Sequence, residues 1–182
     1  MKKVLKIIGV LVLILILFRG TLFRWAIKYN EIGTRSEIKI TNKKLIEKIE
    51  STSKNRKIDL NEVLQIADKI TNEELRFTMD KASNDPNKLI DTNQANCVGY
   101  SAMFNSIVNH LIRKNKLQNE IEAKHKIGQL ELFGIDLHQY LKSPFFKDHD
   151  FNEFRNKKTG EHILIDPSVS DYLWIDRVAK IE

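Results

Sequence analysis

Helical spacing of apolar residues through most of this chain, strict alternation near its end, and a Lys157-Lys158-Thr159-Gly160 turn between two strand-like runs together predict an α+β domain. In that reading N-terminal helices pack on an antiparallel sheet, and one N-terminal membrane helix precedes them.

Val4 to Phe18 is aliphatic apart from Lys6 and Gly9, and its unbroken run from Ile7 to Phe18 is 12 residues long. A spanning helix needs about 20 apolar residues. The stretch extends through Leu22, Phe23, Trp25, Ala26 and Ile27 if Arg19 and Arg24 snorkel to the lipid headgroups. Lys2 and Lys3 also fit the charged start of a cleavable signal peptide, but Phe18 and Gly20 make a poor cleavage site. Residues 1–28 are therefore expected to form an uncleaved signal anchor in contact with membrane lipid, with cleavage as the alternative. The basic start favours a cytoplasmic N-terminus and a single-pass, extracytoplasmic domain.

Tyr29 to Ile40 has no strong periodicity, so 29–40 is expected to be a tether and 41–182 the domain. Leu45, Ile46 and Ile49 give a short amphipathic helix. Asp59 with Glu62 opens a second, carrying Leu60, Val63, Leu64, Ala67 and Ile70, and Thr71 with Glu74 opens a third. The run from Ser83 to Asn96 is dense in turn formers and is expected to be a loop. Tyr100, Phe104, Ile107, Val108 and Leu111 then recur at helical spacing, predicting a central helix from Cys97 to Lys114. Ile121, Ala123, His125 and Ile127 alternate with charged residues as a half-buried strand does, and Gln129 to Phe133 continues it after a break at Gly128. His149 to Asn156 and Glu161 to Asp166 flank the turn as an antiparallel hairpin.

The net charge is +6, but six cations and no acid lie in the first 28 residues, leaving 24 basic and 24 acidic residues in 29–182. The basic balance thus describes how the N-terminus meets a membrane, and no nucleic-acid partner is expected. One cysteine excludes an intramolecular disulfide and every multi-Cys zinc site. His110, His138 and His162 share no ligand spacing, so no metal or other cofactor is expected. His125, on the inward face of its strand, reads as a hydrogen-bonded core histidine.

A cysteine is a nucleophile only as the thiolate. Asn96 is a good N-cap, which puts Cys97 in the first turn of its helix, where unpaired backbone N–H groups and the helix dipole favour an anion. Gly99 in the same turn is unfavourable for a helix and implies close packing there by a neighbouring strand. Across the hairpin, the turn pairs Asn156 with Glu161 and Phe151 with Asp166. His149 is then a diagonal neighbour of Asp166 on one face, within side-chain reach. The imidazole can bond the carboxylate through one nitrogen and face the thiol with the other, the logic of a catalytic triad.

The segment NCVGYSAMFNSIVNHLI resembles the cysteine helix of transglutaminase-like proteins, HDFNE at His149 to Glu153 resembles that superfamily's histidine strand, and IDPS at Ile165 to Ser168 is similar to its Asp-Pro motif. The resemblance covers Asp59 to Ser170. It implies a transglutaminase-like, papain-like fold in which Cys97, His149 and Asp166 form a triad and Cys97 takes the acyl group of a protein or peptide amide as a thioester, passing it to water or an amine. The oxyanion donors would be the Cys97 backbone N–H and Gln94. Asp150 stands where the family has a small residue, Phe151 stands where it has Trp, and the segment before His149 is longer than a minimal core. The rival reading is an inactive binding module that uses the groove beside Cys97 to hold a peptide, protein or cell-wall component.

Overall fold

The computed structural model describes residues 2–140 and 147–181. The α+β architecture is as expected: helices α3 (Lys43–Ser53), α4 (Leu60–Glu74), α5 (Pro86–Thr92), α6 (Cys97–Lys114) and α7 (Pro167–Leu173) pack around an antiparallel sheet. Its strands β1 (Ile27–Arg35), β4 (Ile121–Leu132), β6 (His149–Asn156) and β7 (His162–Ile165) lie in that order, with the short β5 (Ile135–Asp136) also on β4. A separate parallel pair, β2 (Arg76–Phe77) with β3 (Gln94–Ala95), leads into α6.

Helix α6 is the centre. Tyr100, Met103, Phe104, Ile107, Val108 and Leu111 are fully buried, against α4 on one side and β4 and β6 on the other. Asn42, Asp59, Asp85, Asn96 and Asp166 each cap a helix through a side-chain oxygen, satisfying N–H groups that the first turn leaves unpaired.

Several expectations are corrected. The stretch 29–40 is not a tether, because Ile27–Arg35 forms β1, paired with β4 over its whole length, and Tyr29 is fully buried. Only one face of β1 is covered and its register shifts between Glu31 and Gly33, so its sequence shows no clean alternation. The C-terminal segment bonds both edges of the sheet: Val178 N–H donates to the Leu164 carbonyl of β7, and Ile181 N–H to the Tyr29 carbonyl of β1. The sheet therefore curls toward closure, and Tyr29, Phe151, Leu164 and Val178 fill its concave side.

Thr71 opens no third helix, since α4 runs on to Glu74. The expected loop from Ser83 to Asn96 contains α5, started by Asp85 and Pro86 and ended by Asn93 in the left-handed conformation, with Leu89 and Ile90 buried. Strand β4 is continuous through Gly128, where a Cβ would meet the Phe151 ring at 2.8 Å and the Asn30 carbonyl at 3.1 Å. Part of the long segment before His149, residues 141–146, lies outside the described residues.

The N-terminal segment is two helices, α1 (Lys2–Leu17) and α2 (Arg19–Ala26), bent by 73°. Among the described residues no single helix is long and apolar enough to cross a membrane; the bent pair meets the length and composition together. The break falls at Phe18, and Arg19 beyond it is held by the domain: its guanidinium donates to the carbonyls of Leu173 and Trp174.

Candidate active site

The sulfur is placed by three local features. Asn96 accepts from the N–H groups of Val98 and Gly99 at 3.1 and 3.3 Å, so α6 begins at Cys97. Gly99 lets the helix start sit tightly: a Cβ there would stand 2.8 Å from the Ala95 Cβ, 3.0 Å from the Ser83 carbonyl and 3.3 Å from Leu89. The expected strand neighbour is thus β3, aided by α5. Cys97 is buried, yet it lines a pocket of about 420 Å³ together with His149.

The hairpin register is the one the turn implies. Asn152 pairs with Ile165 and Phe154 with Ile163, and Asn156 N–H donates to the Glu161 carbonyl. His149 and Asp166 consequently share a face, and Nε2 of the histidine lies 2.5 Å from Oδ2 of the aspartate. With Nε2 engaged, Nδ1 is the nitrogen left for the thiol, whose hydrogen bond contributes to the charge state of the ring.

Asp166 is fully buried and its two oxygens divide the work. Oδ1 accepts from the N–H groups of Ser168 and Val169 and from the Ser168 hydroxyl at 2.6 Å, capping α7. Oδ2 accepts from the Tyr29 hydroxyl at 2.7 Å and bonds His149. Tyr29 packs edge-on against both the His149 and Phe151 rings, so it fixes the acid and the imidazole at once.

The electrostatics follow from burial and pairing. Burial acts to lower the His149 pKa, but the Asp166 charge and hydrogen bond, joined by Cys97, hold it well above the ordinary imidazole value. Burial acts to raise Asp166, and the His149 charge with the Ser168 and Tyr29 hydroxyls outweighs it, leaving the carboxyl below its usual range. Both directions describe an imidazolium–carboxylate pair. Tyr29 is pushed up, first by burial and then by the neighbouring Asp166 charge, so it serves as a fixed donor.

A second buried network adjoins the first. Asp150, on the opposite side of β6 from its neighbour His149, is fully buried, receives the Arg35 guanidinium in a bidentate pair, and lies 2.6 Å from Nε2 of His125. His125 is thus the hydrogen-bonded core histidine its strand position predicts. Burial alone would raise Asp150; His125 and Arg35 reverse that and lower it. Asp150 is therefore matched by two partners from other strands.

Of the predicted site residues, Cys97, His149 and Asp166 come together. Gln94 is exposed on β3 opposite Arg76 and is not among the residues lining the pocket. Sequence reasoning missed Tyr29 and Arg35, both hidden in the supposed tether. It also missed the apolar lining, in which Phe77, Leu130, Leu137, Val169 and Leu173 surround the polar centre. Comparison with protein-family models, curated proteins and solved structures gives no match for this chain.

Proposed function

We propose that this chain is a membrane-anchored, extracytoplasmic cysteine enzyme of transglutaminase-like kind, which attacks an amide through Cys97 and passes the acyl group to water, or to an amine. The observation that carries the reading is the shared pocket: a cysteine at a capped helix start beside a histidine whose far nitrogen is bonded to a buried carboxylate. Cys97 of α6 and His149 of β6 line the pocket, with Asp166 of the β7–α7 junction buried behind the imidazole, in the roles of nucleophile, base and orienter.

In the proposed reaction the proton of Cys97 is held on Nδ1 of His149 when the substrate arrives, and the thiolate adds to the amide carbonyl carbon. A C–S bond forms and the carbonyl oxygen takes the negative charge, next to the Cys97 backbone N–H at the start of α6. Collapse breaks the C–N bond, and the amine leaves with the proton held by the imidazolium. Water or a second amine then adds to the thioester, losing a proton to His149; the C–S bond breaks and the thiolate–imidazolium pair is restored. Hydrolysis is the favoured outcome, because water is abundant and no separate amine site is specified. The exposed apolar surface of α1 supports the membrane attachment.

Alkylation by iodoacetamide at about pH 6 tests the reading, since an unassisted thiol is almost wholly protonated there. Fast labelling of Cys97 that slows in His149→Ala is expected. Labelling at the rate of a free thiol, unchanged by the substitution, would reject the enzyme and leave the groove as a binding site.

A further inference from the structure

Two exposed aromatic residues sit where the backbone disfavours them. Phe133 (φ 51°) occupies, with Gly134 (φ 80°), the two-residue turn between β4 and β5, and Trp174 (φ 52°) ends α7. Such left-handed positions normally take Gly or Asn, so the turns themselves do not call for bulky aromatic side chains there. Neither residue fills the core, for Phe133 is 59% and Trp174 71% exposed.

Both touch α2, the short helix that joins apolar α1 to the domain. The Phe133 ring lies edge-on to exposed Trp25 with centroids 5.0 Å apart, and its N–H donates to the Ala26 carbonyl. The Trp174 carbonyl accepts from Arg19, whose guanidinium lies 6.0 Å from the indole ring. The same two corners carry walls of the Cys97 pocket: Leu130 and Leu137 flank the Phe133 turn, while Tyr172 and Leu173 precede Trp174. Exposed Ile135 completes an apolar rim on the strand side.

The 16 residues of α1 reach about 24 Å, short of the ~30 Å hydrocarbon layer. A chain anchored by α1 must therefore hold its domain directly on the bilayer. Arg19, Arg24 and Lys28 supply cations at that level, and indole rings favour the interface.

We propose that Trp25, Phe133, Ile135, Tyr172, Leu173 and Trp174 form a collar that seats in the lipid interface, so that the Cys97 pocket opens at the bilayer surface and takes its amide from a substrate lying there. The substrate half rests on the acyl-transfer reading above; the docking half stands without it.

Trp25 and Trp174 are the only tryptophans, so Trp25→Phe leaves Trp174 as the sole reporter, far along the chain from α1. The full chain is reconstituted in phosphatidylcholine–phosphatidylglycerol vesicles whose acyl chains are brominated near the headgroup. Bromolipid is expected to quench Trp174 emission roughly twofold or more, with aqueous iodide ineffective. Quenching by iodide and not by bromolipid would overturn the docking; should Trp25→Phe fail to fold, subtracting the Trp174→Phe signal from that of the unmodified chain gives the same comparison. Phe133→Asn, which relieves the turn, is expected to keep or raise the melting temperature while weakening the bromolipid effect; a loss of neither depth nor quenching would count against the collar. Iodoacetamide reactivity of Cys97 separates the two ideas. A seated Trp174 with an inert Cys97 would retain the docking and reject the enzyme, and a reactive Cys97 with a water-facing Trp174 would do the reverse.

Discussion

Asp166 bonds His149 across the β6–β7 hairpin with the same carboxylate that starts the next helix: Oδ2 meets Nε2 at 2.5 Å while Oδ1 caps α7. The carboxylate is thus locked by secondary structure. Asp166→Asn keeps an oxygen for the cap but removes the charge, so Cys97 alkylation is expected to slow with a modest stability loss. Asp166→Ala removes both functions and is expected to cost about 1 kcal/mol more through the lost cap alone. Chemical denaturation of the two variants, beside their alkylation rates, separates capping from orientation.

Tyr29→Phe keeps the ring contacts with His149 and Phe151 but takes a hydroxyl from a buried carboxylate. A loss of about 2 kcal/mol in unfolding free energy is expected, in the range for hydrogen bonds to charged groups. Cys97 labelling should slow less than in His149→Ala, because the imidazole and its acid both remain.

The ion pair gives a pH dependence of known sign. His149 is raised by Asp166 against the pull of burial, so its contribution to stability is complete below the unfolded imidazole value of roughly 6.5 and is lost as pH climbs through the raised folded value. Asp166 is lowered, so its contribution is complete above the unfolded carboxylate value of roughly 3.9 and is lost on acidification below it. The melting-temperature gap between the unmodified chain and His149→Ala is therefore expected to peak between those limits and to narrow on both sides.

Gly99→Ala sets helix propensity against packing. Ala is favoured by about 1 kcal/mol in a helix, but the added Cβ would stand 3.0 Å from the Ser83 carbonyl and 2.8 Å from Ala95. The backbone oxygen has little room to yield, and a net loss of about 1–2 kcal/mol is expected on denaturation.

The hairpin register, the start of α6 and the caps at Asp59 and Asn96 were legible because each depends on residues close in sequence. Tyr29 was not, because its burial comes from a curled sheet closed by residues 178–181, a long-range arrangement with no local period. His125 was legible as a core histidine from its strand parity, but its partners were not: Arg35 and Asp150 lie on two other strands and look solvated one at a time. Helix α5 escaped because Asp85, Pro86 and Asn93 are turn formers that here serve as its ends, around only two buried aliphatic side chains, Leu89 and Ile90. The break at Phe18 depends on Arg19 finding carbonyls of Leu173 and Trp174 at the other end of the chain.

The most direct test is to trap the acyl-enzyme. After brief exposure to an activated acyl ester and an acid quench, intact-mass and peptide analysis should find one acyl group on Cys97, removable by neutral hydroxylamine as a thioester is, and formed much more slowly in His149→Ala. Acyl groups scattered over surface lysines, or an adduct on Cys97 that forms equally fast without His149, would contradict the account.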